Sequence, residues 1–529
     1  MSGKVISARE AIDLVKSGDT LAIHGAGGGN VEPDLLIKTL AEKFAESGQP
    51  RDLTLLHVSG IGNWTDSGLN QFDKVGLVRR DIGGHYGMSP RFAQLILDNK
   101  MEAYCWPQGV MSQWLREVAA GRPGLITHIG LKTFIDPRVE GGKLNARTTE
   151  DLIEVVTLAG REWMFYRAFP LNVCFVRGTT ADEKGNITLE QEPAFLEVLP
   201  MAMATRNSGG IVVCQVKRLA LAGTLHPKLV KIPHTMVDYV VVHPEQWQSV
   251  VSEYNPAFSG EVRIPVSTLP PMPLDERKVI ARRAALELTH LPRAVLNMGV
   301  GMPDGVALVA AEEGIADQIT PTIEQGMTGG IPAPGVIFGM SSNPEAILDQ
   351  GYQFDFYDGG GLDLTFLGMA EADLHGNVNV SKFQGRMPGV GGFVNISQGA
   401  KAVAFCGTFT AGGLEVEVGG GRLTIKKEGR FKKFVPQVAQ ITFSGELASE
   451  RGQRVQFITE RAVLVITKEG LLLTEIAPGV DLEKDVLGQM AFRPRVAPGL
   501  KLMDERIFRD TLMGLARIIR ERSSRTMRA

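Results

Sequence analysis

The first half of the chain alternates amphipathic segments of helical spacing with short apolar runs. A helix is predicted over 8–16, followed by a strand over 20–24, a glycine-rich loop at 25–30 and a helix over 33–46. Proline at the start of that second helix is a favourable first residue, because its missing N–H has no partner to lose there. The pattern is typical of one strand-loop-helix unit of a parallel sheet.

The same order of elements returns in the second half. A helix over 275–288 precedes a strand over 294–298, the loop 299–302 and a helix over 303–313, again with proline in its first turn. Strands that alternate with helices imply mostly parallel sheets. The fold class predicted is therefore α/β, with two related open α/β domains.

A proline-rich segment separates the two halves. Residues 260–275 contain four prolines, which disfavour both helix and central strand. The sequence therefore predicts an N-terminal domain over 1–265 and a C-terminal domain over 275–529. Strand-like runs between 414 and 474 indicate additional β structure in the second domain, and a final helix is predicted over 505–521.

Two further matches extend the repeat. Helix 90–97 is matched with a predicted helix over 344–348, and the turn at 181–186 is matched with the turn at 372–377. The offset between the halves falls from 251 to 191 between these matches (349 − 98 and 372 − 181). An insertion of about 60 residues is therefore predicted in the first half, within 110–170.

Composition and charge exclude several classes of partner. The net charge of −3 and the pI near 6.4 provide no attraction to nucleic acid or to an anionic membrane, and no apolar run approaches the roughly 20 residues of a membrane helix. The four cysteines include no C-x-x-C pair, and a capping box at Ser7–Glu10 stands where an export signal would lie. We expect a cytoplasmic protein with reduced thiols.

Glu324 is the strongest candidate for chemistry. It follows the predicted short strand 319–323 and precedes three glycines, Gly326, Gly329 and Gly330, and no lysine or arginine lies within ten positions of it. A poorly solvated carboxylate at the end of a strand is a good nucleophile, and carboxylates form covalent intermediates. The alternative interpretation is an exposed loop glutamate.

Other common sites lack their motifs. There is no H-E-x-x-H or cysteine cluster for a metal, no G-x-S-x-G elbow and no G-x-x-x-x-G-K-[ST] loop. The loop 25–30 resembles a dinucleotide-binding turn, but position 30 is asparagine and the next strand ends without a ribose-binding acid. Acyl transfer through an anhydride needs only a carboxylate, oxyanion donors and exclusion of water. The chain can provide all three.

Three motifs give the chain a resemblance to family I CoA-transferases with their two subunit types fused. The first-half loop with Gly25, Gly27 and Gly28 is similar to the family's N-terminal glycine signature, with Gly-Ala-Gly in place of Gly-Gly-Phe. Ile323-Glu324-Gln325-Gly326 is similar to the Ser-Glu-Asn-Gly signature of the active site. Residues 387–393 resemble the second glycine loop. The Ser-to-Ile and Asn-to-Gln differences in that signature are typical of the acetate/propionate branch.

The resemblance implies ping-pong transfer of CoA between a short-chain acyl-CoA and a free acid, through an anhydride and then a CoA thioester on Glu324. It implies oxyanion donors from the amide of Gln108 and from backbone N–H groups around Gly389, Gly391 and Gly392. It also implies a CoA-contacting loop formed by Gly299, Val300, Gly301, Met302 and Pro303.

CoA is then a substrate, no tightly bound cofactor or metal is expected, and the family assembles as homo-oligomers, dimers or tetramers. Two alternatives stay open: an acyl-CoA hydrolase that uses the same glutamate, and a non-catalytic ligand-binding protein of the same fold. For Gln108, an ordinary exposed glutamine is the competing interpretation.

Overall fold

The computed structural model describes residues 4–265 and 272–526, which form two compact units. The first unit comprises the chain as far as Ile264 together with Ile323–Asp355 and Arg386–Asn395. The second unit comprises the remaining residues. Two segments of the second half of the chain thus belong to the first unit. The predicted linker includes residues 266–271, which lie outside the described residues, and the predicted domain boundaries stay a prediction.

The described residues up to 264 form six α-helices and fourteen strands. The helices are α1 Ala8–Asp13, α2 Asp34–Ser47, α3 Pro90–Leu97, α4 Gln108–Ala119, α5 Val198–Asn207 and α6 Pro256–Ser259. The strands are β1 Thr20–Ile23, β2 Leu53–His57, β3 Val78–Gly83, β4 Glu102–Cys105, β5 Gly124–Thr127, β6 Ile153–Leu158, β7 Arg161–Arg167, β8 Val173–Arg177, β9 Thr180–Asp182, β10 Ile187–Thr188, β11 Ile211–Val216, β12 Arg218–Ala220, β13 Val230–Ile232 and β14 Tyr239–Val242.

The described chain beyond residue 271 forms the remaining elements. The helices are α7 Glu276–Leu288, α8 Gly305–Glu312, α9 Gln350–Asp358, α10 Phe393–Gly399, α11 Gly445–Glu450 and α12 Leu515–Thr526. The strands are β15 Ala294–Met298, β16 Ile319–Ile323, β17 Met327–Thr328, β18 Ile331–Pro332, β19 Ser341–Ser342, β20 Ala346–Ile347, β21 Leu364–Gly368, β22 Glu371–Ala372, β23 Val378–Asn379, β24 Ala402–Cys406, β25 Thr410–Ala411, β26 Glu415–Gly419, β27 Arg422–Lys427, β28 Phe431–Lys432, β29 Arg454–Ile458, β30 Ala462–Thr467, β31 Gly470–Ile476 and β32 Arg495–Leu502.

The first unit is built on a seven-stranded parallel sheet in the order β14-β11-β8-β1-β2-β3-β4. Every residue of β2 and β8 is buried, as expected for parallel strands that are covered on both faces. The insertion predicted within 110–170 coincides with a separate three-stranded antiparallel sheet, β5-β7-β6.

The second unit is built on a sheet that is parallel through β16-β15-β21-β24-β29 and continues through β30, β31 and β32. The hairpin β29-β30-β31 is antiparallel, which confirms the additional β structure predicted after residue 414. The helices α7 and α8 bury their apolar residues against this sheet in one hydrophobic core. The predicted α/β fold class is confirmed.

The two halves repeat the same five-strand order. In the first half the order is β14-β11-β8-β1-β2, and in the second half it is β29-β24-β21-β15-β16, with every pair parallel. The repeat predicted from the sequence is therefore present as a repeat of sheet topology.

The two matched turns also form the same hydrogen bonds. The Asp182 carboxylate accepts from the N–H groups of Lys184 and Asn186, and it also accepts from the Asn186 amide. The Asp373 carboxylate accepts in the same way from the residues two and four positions later, His375 and Asn377. An aspartate that folds its own turn explains why this motif survives in both halves.

Residues 344–348 do not form the predicted helix. Ala346–Ile347 instead pairs with Met327–Thr328 as an antiparallel edge strand. Pro344 resembles a helix start, but hydrogen bonds to a distant segment decide the conformation here. The match of this segment with helix 90–97 is therefore wrong.

The predicted final helix over 505–521 is interrupted. Glu505–Phe508 forms a short 3₁₀ turn, and α12 begins only at Leu515. The buried Glu313 carboxylate accepts from the N–H groups of Met513 and Leu515, and Gly514 adopts a left-handed φ of 76°. A carboxylate from a distant segment thus fixes where this helix starts.

The cysteines provide a test of the fold. All four are free and buried, and burial raises the pKa of Cys105, Cys174 and Cys406 to about 12 and that of Cys214 well above its ordinary value. Only a thiolate attacks a disulfide reagent, and at pH 8 a thiol with such a pKa is ionised to about one part in ten thousand. We expect the native protein to react negligibly with Ellman's reagent, and all four thiols to react after unfolding in guanidinium. Rapid stoichiometric labelling of the native protein would contradict this packing.

Candidate active site

Glu324 lies in a tight turn directly after β16. Its side chain is partly buried, between the core and full exposure. The turn is closed by the N–H of Gly326, which donates to the Ile323 carbonyl at 2.9 Å, and the Gly326 carbonyl accepts from the N–H of Leu348 at 2.8 Å. Gly326 has a φ of 116°, and a Cβ there would lie 2.1 Å from the Leu348 oxygen. Only glycine fits this position, so the turn that presents Glu324 is held by backbone contacts.

The first-half glycine loop lies close to this turn. Gln325, the neighbour of Glu324, is buried and packs against Gly339, whose carbonyl accepts from the Asn30 side chain at 3.3 Å. Gly28 has a φ of 75°, and a Cβ there would lie 2.4 Å from the Val336 oxygen. The loop 25–30 therefore packs against residues 336–339, which themselves contact the residue after Glu324.

A buried carboxyl group supports the same loop. Glu32 accepts from the N–H of Gly62 at 2.7 Å, and the Gly62 carbonyl accepts from the N–H of Gly28 at 2.9 Å. Burial raises the pKa of the Glu32 carboxyl to about 8, so this side chain carries a proton in the folded protein at neutral pH. Asn30 and Glu32 were not singled out by sequence reasoning, because a polar residue after a glycine loop has no local sign of burial.

The proton on Glu32 predicts a pH-dependent stability. The unfolded carboxyl ionises near 4.5 and the folded one near 8, so this group's contribution to stability is present below about pH 4.5 and is lost as the pH rises toward 8. The variant Glu32→Gln has no ionisable group at this position, so it does not lose stability in this way as the pH rises. We expect the melting temperature of the variant to rise relative to wild type between pH 5 and pH 8. A difference that stays constant across this range would contradict a protonated Glu32.

Gln108 is buried beside the second glycine loop. It is the first residue of α4, and only 3% of its surface is exposed, so the interpretation as an ordinary exposed glutamine is wrong. Its N–H donates to the Gly391 carbonyl at 2.9 Å, and the next N–H, of Gly109, donates to the Asn395 side chain at 3.1 Å. These bonds place the loop 387–393 directly against the start of α4.

The three glycines of that loop have different surroundings. Gly389 pairs with the backbone of His85, and the N–H of Gly391 donates to the Gly84 carbonyl at 2.8 Å. Gly391 therefore uses its N–H within the fold. Among residues 4–265 and 272–526, none accepts a hydrogen bond from the N–H of Gly392. The bridge between Gly389 and His85 is formed by bonds of their neighbours Pro388 and Val390, so the N–H groups of Gly389 and Gly392 both stay candidate oxyanion donors.

A short segment connects Gln108 with the turn of Glu324. The Gln108 amide donates through Nε2 to Oε1 of Gln350 at 2.8 Å. Gln350 stands two positions after Leu348, the residue that bonds Gly326. Sequence reasoning missed Gln350, although one signal was present: the dipeptide Gln350-Gly351 repeats Gln108-Gly109, and each pair starts a helix.

The predicted CoA loop belongs to the second unit. Gly299, Val300, Gly301, Met302 and Pro303 follow β15 directly. The N–H of Gly299 donates to the Phe366 carbonyl at 2.8 Å, the Val300 side chain is exposed, and Arg277 donates to the Gly301 carbonyl at 3.0 Å. This loop has one exposed residue, Val300, and a nearby cation, and its contact with CoA stays a prediction.

Comparison with known proteins identifies the class. The family model described as coenzyme A transferase matches residues 5–243. The chain is 48% identical over 511 residues to the acetate CoA-transferase YdiF of Escherichia coli (strain K12), covering 96% of each protein. This chain therefore belongs to the family I CoA-transferases, as a single chain with fused alpha-like and beta-like halves, and it is an enzyme of that class.

Two further relatives cover the chain end to end. The caffeate CoA-transferase of Acetobacterium woodii is 47% identical over 524 residues, covering 98% of this chain and 99% of that protein. The crystal structure of the acyl-CoA transferase YdiF from E. coli O157:H7, a thioester complex with CoA, matches with a TM-score of 0.91 at 47% identity, covering 97% of each chain. The interpretation as a non-catalytic binding protein is thereby excluded.

The described residues also bear on membranes and metals. In the described parts of the chain, no helix is long and apolar enough to span a bilayer. Within the same residues, no group of three or more His, Cys, Asp and Glu side chains could hold a metal ion.

Proposed function

We propose that this CoA-transferase moves CoA between a short-chain acyl-CoA and a free carboxylic acid by ping-pong catalysis on Glu324. The single observation that supports this most is the grouping within the first unit. The turn of Glu324, the buried Gln108 amide and the loop 387–393 belong to one compact unit although they lie far apart in sequence. The carboxylate and the candidate oxyanion donors are the parts that acyl transfer requires.

The first half-reaction forms the enzyme-bound thioester. The Glu324 carboxylate attacks the carbonyl carbon of the acyl-CoA thioester, the C–S bond breaks, and an acyl-glutamyl anhydride and CoA thiolate form. The thiolate then attacks the glutamyl carbonyl of the anhydride. This step breaks the anhydride C–O bond, releases the first acid as a carboxylate and leaves a glutamyl-CoA thioester.

The second half-reaction reverses these steps with a new acid. The incoming carboxylate attacks the glutamyl thioester and expels CoA thiolate, and the thiolate attacks the acyl carbonyl of the new anhydride. The products are a new acyl-CoA and the Glu324 carboxylate. No proton, electron or metal changes hands, and the thioester that is broken in the first step is replaced by a new thioester in the product.

Each attack creates an oxyanion that needs hydrogen-bond donors. We assign this role to the Gln108 amide and the N–H groups of Gly389 and Gly392, in a loop that the bond from Gly391 to Gly84 holds in place. Donors of this kind contribute roughly 3 to 4 kcal/mol each. The loop 299–303 is assigned to contact with CoA.

The acyl groups proposed are short: acetate, propionate, butyrate or a 3-keto acid. Relatives of nearly equal identity act, by their names, on acetate and on caffeate. An aromatic acid therefore belongs in the same assay. We further propose a cytoplasmic homo-oligomer, a dimer or tetramer, for which CoA is a substrate and no tightly bound cofactor is required.

An acceptor panel tests the transfer. With acetyl-CoA as donor, propionate, butyrate, acetoacetate and caffeate are offered separately, and the new acyl-CoA is measured by chromatography. A transferase produces a new thioester only when an acceptor is present. Equal loss of acetyl-CoA with and without acceptor would instead identify a hydrolase.

Trapping tests the covalent intermediate. The protein is incubated with acyl-CoA, reduced with borohydride and digested, and the peptide that contains Glu324 is analysed by mass spectrometry. We expect the reduced glutamyl residue in that peptide. An unmodified peptide under conditions of active turnover would exclude covalent catalysis by Glu324.

A further inference from the structure

We infer that Gln350, held by Ser112 and Glu197, is a positioning residue that orients the Gln108 amide. This inference rests on the proposed function, because it assumes that Gln108 donates to the oxyanion. Gln108, Ser112, Glu197 and Gln350 are all buried, with at most 3% of the surface of each exposed. They form a connected hydrogen-bond network within the first unit.

The direction of each bond in this network follows from Ser112. Its hydroxyl has one proton, which it donates to the backbone carbonyl of Gln108 at 3.0 Å. Its oxygen can therefore only accept from Gln350, which lies 2.8 Å away through Nε2. The amide of Gln350 must then point its nitrogen at Ser112 and its oxygen at Gln108.

Glu197 fixes the same orientation from a second side. Its Oε2 accepts from Nε2 of Gln350 at 3.1 Å, so both protons of that nitrogen are used. Burial raises the pKa of the Glu197 carboxyl to about 8, which keeps the group neutral at neutral pH. The backbone N–H of Gln350 donates to the carbonyl of Leu196, the residue before Glu197, at 3.0 Å.

The consequence for Gln108 is a fixed amide. Because Oε1 of Gln350 can only accept, the group of Gln108 that faces it must be Nε2, at 2.8 Å. One N–H of Gln108 is thus anchored, and its second N–H stays available to an oxyanion. Without Gln350, the amide could rotate and present its oxygen to the developing negative charge, which would repel it.

The same segment also holds the nucleophile. Leu348 bonds Gly326 in the turn of Glu324, and Gln350 bonds Gln108, so residues 348–350 connect the nucleophile with its oxyanion donor. A change in this segment therefore alters the position of the donor relative to the attacking carboxylate. Such misplacement lowers the rate of the chemical step more than it lowers binding.

A matched pair of variants tests this role. Gln350→Met keeps the length of the side chain and removes its hydrogen bonds. Gln353→Met is the control: Gln353 lies on the same helix α9, is equally buried, and its Nε2 has no acceptor among the described residues. We expect Gln350→Met to lower kcat by about 10 to 100-fold with KM for acyl-CoA within about twofold, and the control to retain both values.

Coupling to Gln108 separates positioning from a general loss of structure. In a Gln108→Ala background, Gln350→Met should lower kcat by no more than about twofold further, because the amide it orients is absent. Glu197→Gln retains an acceptor for Gln350 and should keep kcat near the wild-type value. Glu197→Ala removes that acceptor and should lower kcat. If Gln350→Met does not fold, Ser112→Ala is a smaller change that can be compared, alone and combined with Gln108→Ala, in the same way.

The outcomes distinguish this inference from the proposed function. A wild-type kcat in Gln350→Met, or losses that multiply in the Gln108→Ala background, would overturn the positioning role while the trapped Glu324 adduct still formed. Absence of that adduct in the wild-type protein would overturn the proposed function itself.

Discussion

Replacement of Glu324 by glutamine is expected to lower kcat for CoA transfer by at least about 10⁴-fold, because the neutral amide that replaces the carboxylate is a poor nucleophile. The substitution keeps the shape of the side chain in a turn that is fixed by Gly326 and Leu348. The melting temperature should therefore stay close to that of wild type. Acyl-CoA turnover and thermal unfolding, measured on the same preparation, check both parts.

Glu345→Gln is the matched control. Glu345 lies in the same unit and is exposed, and the proposed chemistry assigns its carboxylate no part. This variant should transfer CoA at the wild-type rate. Full activity in Glu324→Gln would exclude Glu324 as the nucleophile. Unfolding of Glu324→Gln would instead show that the residue has a structural role.

Replacement of Gln108 by alanine is expected to lower kcat by about 10² to 10³-fold with little change in KM for acyl-CoA. The amide is proposed to donate to charge that develops only in the transition state, so its loss slows the chemistry and leaves ground-state binding intact. Steady-state kinetics over a range of acyl-CoA concentrations, at saturating acceptor, measure the two constants separately.

The control for this variant is Gln113→Ala on the same helix. Gln113 is also buried, and its amide donates to the Asp355 carboxylate at 3.1 Å. It should keep kcat within a few fold of wild type. A loss in Gln108→Ala that appears wholly in KM would show that Gln108 binds substrate without stabilising the oxyanion.

Much of the fold could be predicted from local patterns. The strand 294–298 and the helix 90–97 agree with the structure to the residue, and the repeat was visible as matching glycine loops and aspartate turns. These elements follow from apolar periodicity and from turn residues that act on their own backbone. The predictions failed where distant groups decide the outcome, as in the edge strand Ala346–Ile347 and at the start of α12, where Glu313 binds the N–H of Leu515.

The amino-acid sequence by itself determined the α/β class, the internal repeat and the choice of Glu324 as candidate nucleophile, because strand period, glycine loops and an isolated carboxylate are local features. Tertiary structure alone decided that Gln108 is buried and that its amide meets Gln350, 242 positions away. A hydrogen bond between distant side chains depends on how the segments are folded together, and neither residue carries a local sign of the other.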